Sequence, residues 1–459
     1  MSHTPSSAGR ARWGDIRKST IRIRNYRLTL QSVMLILIQV TVDKQTEAQN
    51  SQADNVEKIG GSARLLFAGY LLSAIGSGTI YPYMAIYVQQ VRGLGGTAAA
   101  FALSVIALGT VTGSLVAGRH IDRIGTLLVG SVGLLLQAAG YSLIGVSAEL
   151  GPLLAACALI GTGAGMFLAV LSPVISAICP PQQHRRAFAA RYMANNLGLG
   201  IGALIALIAL SKFDAARFTL LYEINAASYI VFLAMFCSAL SIRPSELRQT
   251  TLAAGEGGND YFRWRDLLRN RPFVKLLAVQ VLLVAGGFSQ VQSVIPLLLR
   301  VRLAEPPELI TTLLVMNCLG IVLVQPLVVR LCARLSETRL LTSVGAAWAL
   351  AFAVGAGVML RGSIGIVAIM LFGAVFTVGE CCYGPSFQTL VVQFAPSRQL
   401  GRYSGVASSL WGAVTFIAPP LGVLLVDSHW PYTIFLFCGL TSVLASLCTL
   451  RLPSSVFCR

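Results

Sequence analysis

The chain has 459 residues, of which 55% are hydrophobic and only 12% are charged, and its formal net charge is +17. A soluble domain carries about 25% charged residues, so this composition excludes an ordinary water-soluble protein and points to contact with lipid. The basic residues stand in short clusters between apolar runs, which favours the Lys/Arg bias of cytoplasmic loops over the basic face of a nucleic-acid-binding domain.

Residues 1–60 carry many basic side chains and one short apolar run, from Leu28 to Val42. That run contains Gln31 and Gln39 and is too short to span a bilayer comfortably, and no small-residue cleavage site follows it. We predict a basic cytoplasmic extension at 1–60, with an interfacial helix, a start codon assigned too far upstream and a thirteenth span left as alternatives.

A spanning helix needs about 20 mostly apolar residues. Stretches free of Asp, Glu, Lys and Arg predict twelve such helices, at 65–91, 93–118, 124–148, 150–183, 192–211, 224–242, 276–299, 309–329, 340–360, 362–379, 403–426 and 430–450. We expect the tenth to continue to about Gln393, with Glu380 inside it.

The polar stretch at 243–271 interleaves aromatic and basic residues after a glycine-rich tract, which predicts a cytoplasmic linker with an interfacial helix. It separates a six-helix bundle at 61–242 from a second one at 272–453, and a short tail follows at 454–459.

The loops alternate in charge. With both termini in the cytoplasm, the inner loops hold seventeen Lys and Arg residues and the outer loops hold six. This bias predicts a multi-pass protein of the plasma membrane or the bacterial inner membrane, with an even number of helices.

The two bundles also match each other in sequence. Four pairs lie 211 to 214 residues apart: Pro82 and Pro296, Arg123 and Arg334, Pro173 and Pro385, and Arg191 and Arg402. We therefore predict an all-α membrane protein in which two six-helix bundles are related by a parallel pseudo-repeat, as in secondary transporters with a substrate site between the halves.

The loop after helix two reads from Gly118 to Gly125 as G-R-H-I-D-R-I-G. It resembles the G-x-x-x-D-R-x-G loop between helices two and three of the major facilitator superfamily. The resemblance implies a cytoplasmic gate formed by Gly118, Asp122, Arg123 and Gly125, and an acid there can lie against the positive N-terminal end of a neighbouring helix. The second-half counterpart keeps Arg334 but has Ala333 in place of the acid.

A second stretch resembles helices ten and eleven of the bacterial drug:proton antiporters of that superfamily. It comprises Gly379-Glu380, Pro385, Ala395-Pro396, Gly401-Arg402-Tyr403, Gly405 and Pro419-Pro420. The chain departs from that group in lacking an arginine in helix four and a proline among Gly198, Gly200 and Gly202 in helix five. The resemblance, which covers 64–451, implies proton-coupled export of small apolar or amphiphilic compounds, a multidrug-type efflux.

Glu380 is the strongest candidate for the coupling or substrate site. An acid near the centre of a spanning helix costs about 2.5–3.5 kcal/mol on insertion scales, and such acids usually mark ion or substrate paths. Phe376, Tyr383 and Phe387 share its helical face, so the site suits an apolar cation. The alternative is a structural partner for an arginine or a backbone amide. Glu223, near the outer end of helix six, is a second and weaker candidate.

Other side chains are assigned to the cavity or to packing. Tyr81, Asn195, Gln292 and Asn317 are polar positions that either line a cavity or make ordinary interhelical hydrogen bonds. The glycines at Gly198, Gly202, Gly405 and Gly412 share helical faces and predict close helix packing. Arg191 is interpreted as a topology charge at the cytoplasmic end of helix five.

Several function classes are disfavoured. No G-x-x-x-x-G-K-[ST] motif indicates a nucleotide, no C-x-x-C pair indicates a metal or a disulfide framework, and the four histidines lie at loops or ends. We therefore predict a non-enzymatic secondary transporter that works as a monomer in membrane lipid on a small-molecule substrate by alternating access. It would use no cofactor, metal, nucleotide or nucleic acid, and a proton would be the coupling ion. An uptake carrier or uniporter for a small metabolite and a non-transporting sensor are the alternatives.

Overall fold

The computed structural model describes residues 60–209, 215–241, 264–302, 307–359, 366–426, 430 and 433–453. The N-terminal extension, apart from Gly60, and the tail at 454–459 lie outside the described residues. The described chain forms twelve long helices: α1 (Gly61–Ile80), α2 (Gly95–Ile124), α3 (Thr126–Val146), α4 (Leu150–Ile178), α5 (His184–Ala209), α6 (Ala215–Ser241), α7 (Arg271–Leu283), α8 (Pro307–Leu331), α9 (Glu337–Met359), α10 (Ile366–Phe394), α11 (Leu400–Val426) and α12 (Thr433–Thr449). The predicted all-α fold with twelve helices in two six-helix halves is confirmed; α1–α6 form the N-half and α7–α12 the C-half.

The helices are built for a lipid environment. Nine helices of the described chain are long and apolar enough to cross a membrane by length and composition. Two shorter apolar segments are Val315–Leu331, which is part of α8, and Thr433–Thr449, which is α12. Large apolar side chains on their outer faces remain uncovered by protein: Leu108, Leu323 and Leu424 are 64%, 75% and 69% exposed. Lipid tails solvate such surfaces, so the chain is a multi-pass membrane protein.

The first helix of each half ends irregularly. Pro82 lies in the 3₁₀ turn Tyr81–Tyr83 that continues α1, and Pro296 lies in the short helix Ile295–Leu297 beyond α7. Proline has no N–H for the helical ladder and its ring clashes with the preceding turn, which explains the break directly after α1. In α7 the regular geometry already ends at Leu283, where the π-helical turns Val284–Phe288 and Gln290–Val294 begin.

Each half has its own aromatic core. In the C-half the buried indole of Trp348 donates from Nε1 to the carbonyl oxygen of Phe376 at 2.9 Å, and the two rings stack with centroids 4.6 Å apart. In the N-half Phe167 packs edge-on against Phe232 and Phe236, with centroids 5.1 and 5.6 Å away. These clusters make each half a compact body.

The halves meet where α2 packs against α11 and where α5 packs against α8 and α10. At one end of the molecule α2 joins α3, α4 joins α5, α8 joins α9 and α10 joins α11. We call this the arginine-rich end. Of the predicted interfacial linker, only its last part is described. There the helix Trp264–Arg269 buries Leu267 in the C-half core while Trp264 and Leu268 are 58% and 65% exposed.

Candidate substrate cavity and gate

A cavity of about 320 Å³ lies between the two halves. Five of the side chains predicted to line it do so, namely Tyr81, Asn195, Gln292, Tyr383 and Phe387, together with Glu380. Tyr81 stands just beyond α1, far from the arginine-rich end, and its side chain is 75% exposed. The cavity therefore opens toward the end of the molecule opposite the arginine-rich end.

Glu380 is buried at the wall of this cavity, with 2% exposure. The Tyr192 hydroxyl donates to its Oε1 at 2.5 Å and Asn317 Nδ2 donates to its Oε2 at 2.7 Å. The partners are thus a hydroxyl and an amide side chain, and neither the arginine nor the backbone amide of the structural alternative. Because Tyr192 lies on α5 and Glu380 on α10, the first of these hydrogen bonds joins the two halves.

Three predicted positions lie elsewhere. Asn317 supports Glu380 rather than lining the cavity, and it also donates to Thr377 Oγ1 at 3.1 Å. Phe376 is placed in the C-half core, because Trp348 of α9 covers the α10 face one turn before Glu380. Glu223 lies within the N-half, away from the cavity lining, where Ser142 Oγ donates to its two carboxylate oxygens at 2.8 and 2.9 Å.

Arg191 lines the cavity, which corrects its interpretation as a topology charge alone. Its Nη1 donates to the Tyr70 hydroxyl at 3.3 Å, and its guanidinium carbon lies 5.5 Å from the centroid of the Tyr70 ring. Its Nε is buried and has no hydrogen-bond partner among the described residues. A cation therefore faces the space between the halves.

At the arginine-rich end, Asp122 of α2 caps the N-terminus of α11. Its Oδ1 accepts from the backbone N–H of Gly401 at 2.8 Å and its Oδ2 from that of Arg402 at 3.0 Å, and Arg402 Nε lies 3.7 Å from Oδ2. The first N–H groups of a helix have no partner within it and carry partial positive charge. The carboxylate satisfies two of them, as predicted for an acid in this loop.

Two glycines make this contact possible. A Cβ on Gly118 would stand 3.0 Å from the carbonyl oxygen of Gly401 and 3.1 Å from Cα of Gly405, so any larger residue would hold α2 and α11 apart. Gly125 joins α2 to α3 with a φ of +88°, a region that glycine adopts without the steric cost of a side chain. The side chain of Arg123 is exposed and forms no hydrogen bond or ion pair with a described residue, so Asp122 and Gly118 make the closure.

The comparisons with known proteins agree with this geometry. The sequence profile of the Major Facilitator Superfamily matches residues 66–351 and 306–456. The chain belongs to the Major Facilitator Superfamily. An uncharacterized MFS-type transporter of Bacillus subtilis (strain 168), YttB, is 22% identical over 392 residues, covering 85% of this chain and 92% of that protein. The multidrug resistance protein MdtH of Salmonella typhi is 24% identical over 414 residues, covering 86% and 94%.

A solved structure of the same fold is that of a bacterial homologue of the iron transporter ferroportin in an outward-facing state. It superposes with a TM-score of 0.71 at 16% identity, covering 85% of this chain and 99% of that one. Because the identity is low, the likeness shows the fold alone. As a member of the Major Facilitator Superfamily, the chain is a membrane transporter.

A second closure at the arginine-rich end lies where the repeated superfamily loop has lost its acid. Arg185, at the start of α5, donates from Nε to Glu337 Oε1 at 2.8 Å, from Nη1 to the Cys332 carbonyl at 2.7 Å and from Nη2 to the Leu335 carbonyl at 2.8 Å. The arginine thus crosses from the N-half to the loop between α8 and α9. Sequence reasoning missed this pair, since nothing in the spacing of Arg185 and Glu337 links them.

The four packing glycines serve two different interfaces. Gly198 and Gly202 lie against α1 within the N-half: a Cβ on Gly198 would be 2.7 Å from the carbonyl oxygen of Leu71. Gly405 and Gly412 lie against α2 across the halves: a Cβ on Gly405 would be 2.6 Å from the carbonyl oxygen of Ser114. The helical spacing of these glycines predicted close packing, but it did not predict which helix packs against each of them.

Proposed function

We propose that this transporter is a proton-coupled exporter of small apolar or amphiphilic compounds, and that Glu380 is its protonatable group. One observation carries the proposal: a buried carboxyl group at the cavity wall, held by a donor from each half. Acids at membrane depth are costly and mark ion or substrate paths. One chain contributes both walls of the cavity, so we further propose that the monomer is the functional unit.

The contacts of Glu380 offer a route from proton uptake to movement. An ionised carboxylate accepts hydrogen bonds that are about twice as strong as those between neutral groups. Protonation of Glu380 would therefore weaken its bond with Tyr192, which joins the halves beside the cavity. A proton arriving from the open side would in this way weaken one contact between the halves beside the cavity and favour the return to the opposite state.

The step of the cycle that the described conformation represents depends on which end faces the cytoplasm. The excess of Lys and Arg in the loops supports a cytoplasmic position for the arginine-rich end. The described conformation would then be closed to the cytoplasm by Asp122 and Arg185 and open to the outside. In an exporter this is the state that releases substrate and takes up a proton.

The chain's similarity to MdtH, a multidrug resistance protein, supports export of drug-like compounds. An uptake carrier or uniporter for a small metabolite would use the same gate. A uniporter ignores an imposed pH gradient. An antiporter accumulates substrate on the acidic side and a proton-coupled uptake carrier accumulates it on the alkaline side, so the side of accumulation is the decisive variable.

The test uses the purified full chain in proteoliposomes with fluorescent amphiphiles that have anionic, neutral or cationic head groups. We expect a pH gradient to drive accumulation of at least one of them. Glu380→Gln should abolish gradient-driven accumulation but retain exchange of the same compound across the membrane without a gradient, because the substituted cavity still alternates.

The matched control is Glu223→Gln, which removes the membrane-embedded carboxylate that lies outside the cavity lining. It should behave like the unsubstituted protein. Accumulation by Glu380→Gln at the unsubstituted rate would reject the assignment of Glu380, and transport that ignores the gradient for every compound would reject proton antiport.

A further inference from the structure

The charge balance of the cavity differs from that expected for a binder of cations. Of the described residues that line it, Arg191 and Glu380 carry charge. Both oxygens of Glu380 already accept a hydrogen bond, from Tyr192 and from Asn317. Each carboxylate oxygen keeps a second lone pair, but Glu380 is buried, with 2% exposure, so a cationic substrate has little access to it.

Arg191 is in the opposite situation. A guanidinium carries five N–H donors, and Arg191 uses one of its nitrogens, in a hydrogen bond of 3.3 Å to Tyr70. Its Nε is buried without a partner, and no described carboxylate pairs with it. The arginines that join the halves are different, since Arg185 and Arg402 each lie beside a carboxylate.

The Arg191 side chain is half-buried in the cavity wall, with its Nε enclosed, and a polar atom withdrawn from water without a partner is unfavourable. The planar guanidinium matches the geometry of a carboxylate, sulfonate or phosphate, to which it can donate two parallel hydrogen bonds. Tyr70 and Tyr192 flank the group, with ring centroids 5.5 and 5.9 Å from its guanidinium carbon, and hold its position. The cavity thus contains a fixed cation whose missing partner is an oxyanion.

The rest of the wall suits an apolar body. Phe288 and Trp411 pack with centroids 4.7 Å apart, and Tyr383 lies 5.9 Å from Trp411 and 5.6 Å from Phe387. All four side chains line the cavity. The volume of about 320 Å³ lies near the lower bound of about 300 Å³ for small-molecule sites.

We propose that the cavity binds small amphiphilic oxyanions, with an aromatic or apolar body against Trp411 and Phe288 and an anionic head group on Arg191. This specifies the substrate class of the proposed function and rests on that function for transport, although the binding itself does not require a proton gradient. It replaces the apolar cation that the sequence pattern around Glu380 favours.

The test compares three ligands that share one naphthylbutyl body and end in a carboxylate, a hydroxyl or a trimethylammonium group. Their dissociation constants for the purified full chain in a non-ionic detergent are measured by equilibrium dialysis at neutral pH, and partition into empty micelles is subtracted. We expect the carboxylate to bind at least ten-fold more tightly than the other two, which corresponds to about 1.4 kcal/mol. Arg191→Gln should remove this preference, and Arg191→Lys should keep part of it.

Arg330→Gln is the control for the general attraction of anions to a basic protein, since Arg330 is exposed and lies outside the cavity lining. It should leave all three constants unchanged. The proposal is overturned if the unsubstituted protein binds the alcohol or the cation as tightly as the carboxylate, or if Arg191→Gln weakens all three ligands equally. The first comparison needs no variant, so it holds even if Arg191→Gln fails to fold. Dialysis involves no gradient, so the result is independent of whether Glu380 couples protons.

Discussion

Removal of the Asp122 carboxylate should shift the protein away from the state that is closed at its arginine-rich end. In Asp122→Ala the backbone N–H groups of Gly401 and Arg402 lose their acceptor, and the positive end of α11 loses a compensating charge. Replacing a capping side chain by alanine costs about 0.5–2 kcal/mol, and loss of the charge at a helix N-terminus adds about 0.3–1 kcal/mol.

The total, about 1–3 kcal/mol, applies to one state of the transport cycle, because the cap exists only while α2 and α11 touch. A difference of this size changes the ratio of the two states by a factor of about 5 to 150. The folded protein itself should remain intact, since each half keeps its own aromatic core.

The assay labels an engineered cysteine at Gln292, an exposed cavity position, with a membrane-impermeant maleimide added from the cavity's open side. The parent chain without this cysteine provides the background from native thiols. We expect Asp122→Ala to slow labelling of Gln292→Cys at least several-fold. Asp266→Asn, which removes an exposed carboxylate on the short helix before α7, is the control and should leave the rate unchanged. An unaltered rate in Asp122→Ala would refute the role of the cap.

Two further predictions concern packing and the second closure. Gly198→Ala should lower the thermal unfolding temperature in detergent by an amount equivalent to about 1–3 kcal/mol, since its Cβ would meet the backbone of α1. Gly200→Ala should leave that temperature unchanged or raise it, because the nearest atom to its Cβ is 3.8 Å away and alanine favours the helix more than glycine does. Arg185→Gln should destabilise the closed state by about 3 kcal/mol, since it leaves the buried Glu337 without its cation. It should therefore slow labelling of the same cavity cysteine. Arg186→Gln is the matched control, and equal labelling rates in the two variants would contradict a role for the ion pair.

The number of helices and the two-fold repeat were accessible from the sequence because each depends on local composition. A bilayer accepts a helix according to the length and polarity of its own residues, and that property does not require a partner. The contact of Asp122 with α11 was accessible for a related reason. The stretch from Gly118 to Gly125 combines a glycine with a positive φ and an acid that can accept from a helix N-terminus, and both properties belong to the loop itself.

The sequence did not show how each helix is rotated about its own axis. Spacing places Phe376 and Glu380 on one face of α10, yet Trp348 covers the first while Tyr192 and Asn317 hold the second. Glu223 was the second and weaker candidate near the outer end of helix six, and in the structure its carboxylate accepts from Ser142 within the N-half.

In lipid, apolar side chains face either the bilayer or a neighbouring helix at similar cost, so hydrophobicity does not tell which face of a helix is covered. Close packing and hydrogen bonds between helices make that choice, and they exist only after all twelve have assembled. The sequence by itself therefore determined that the chain crosses the membrane as twelve helices in two halves. Only the tertiary structure decided that Arg191 faces the cavity with no carboxylate partner among the described residues, whereas both oxygens of Glu380 accept hydrogen bonds.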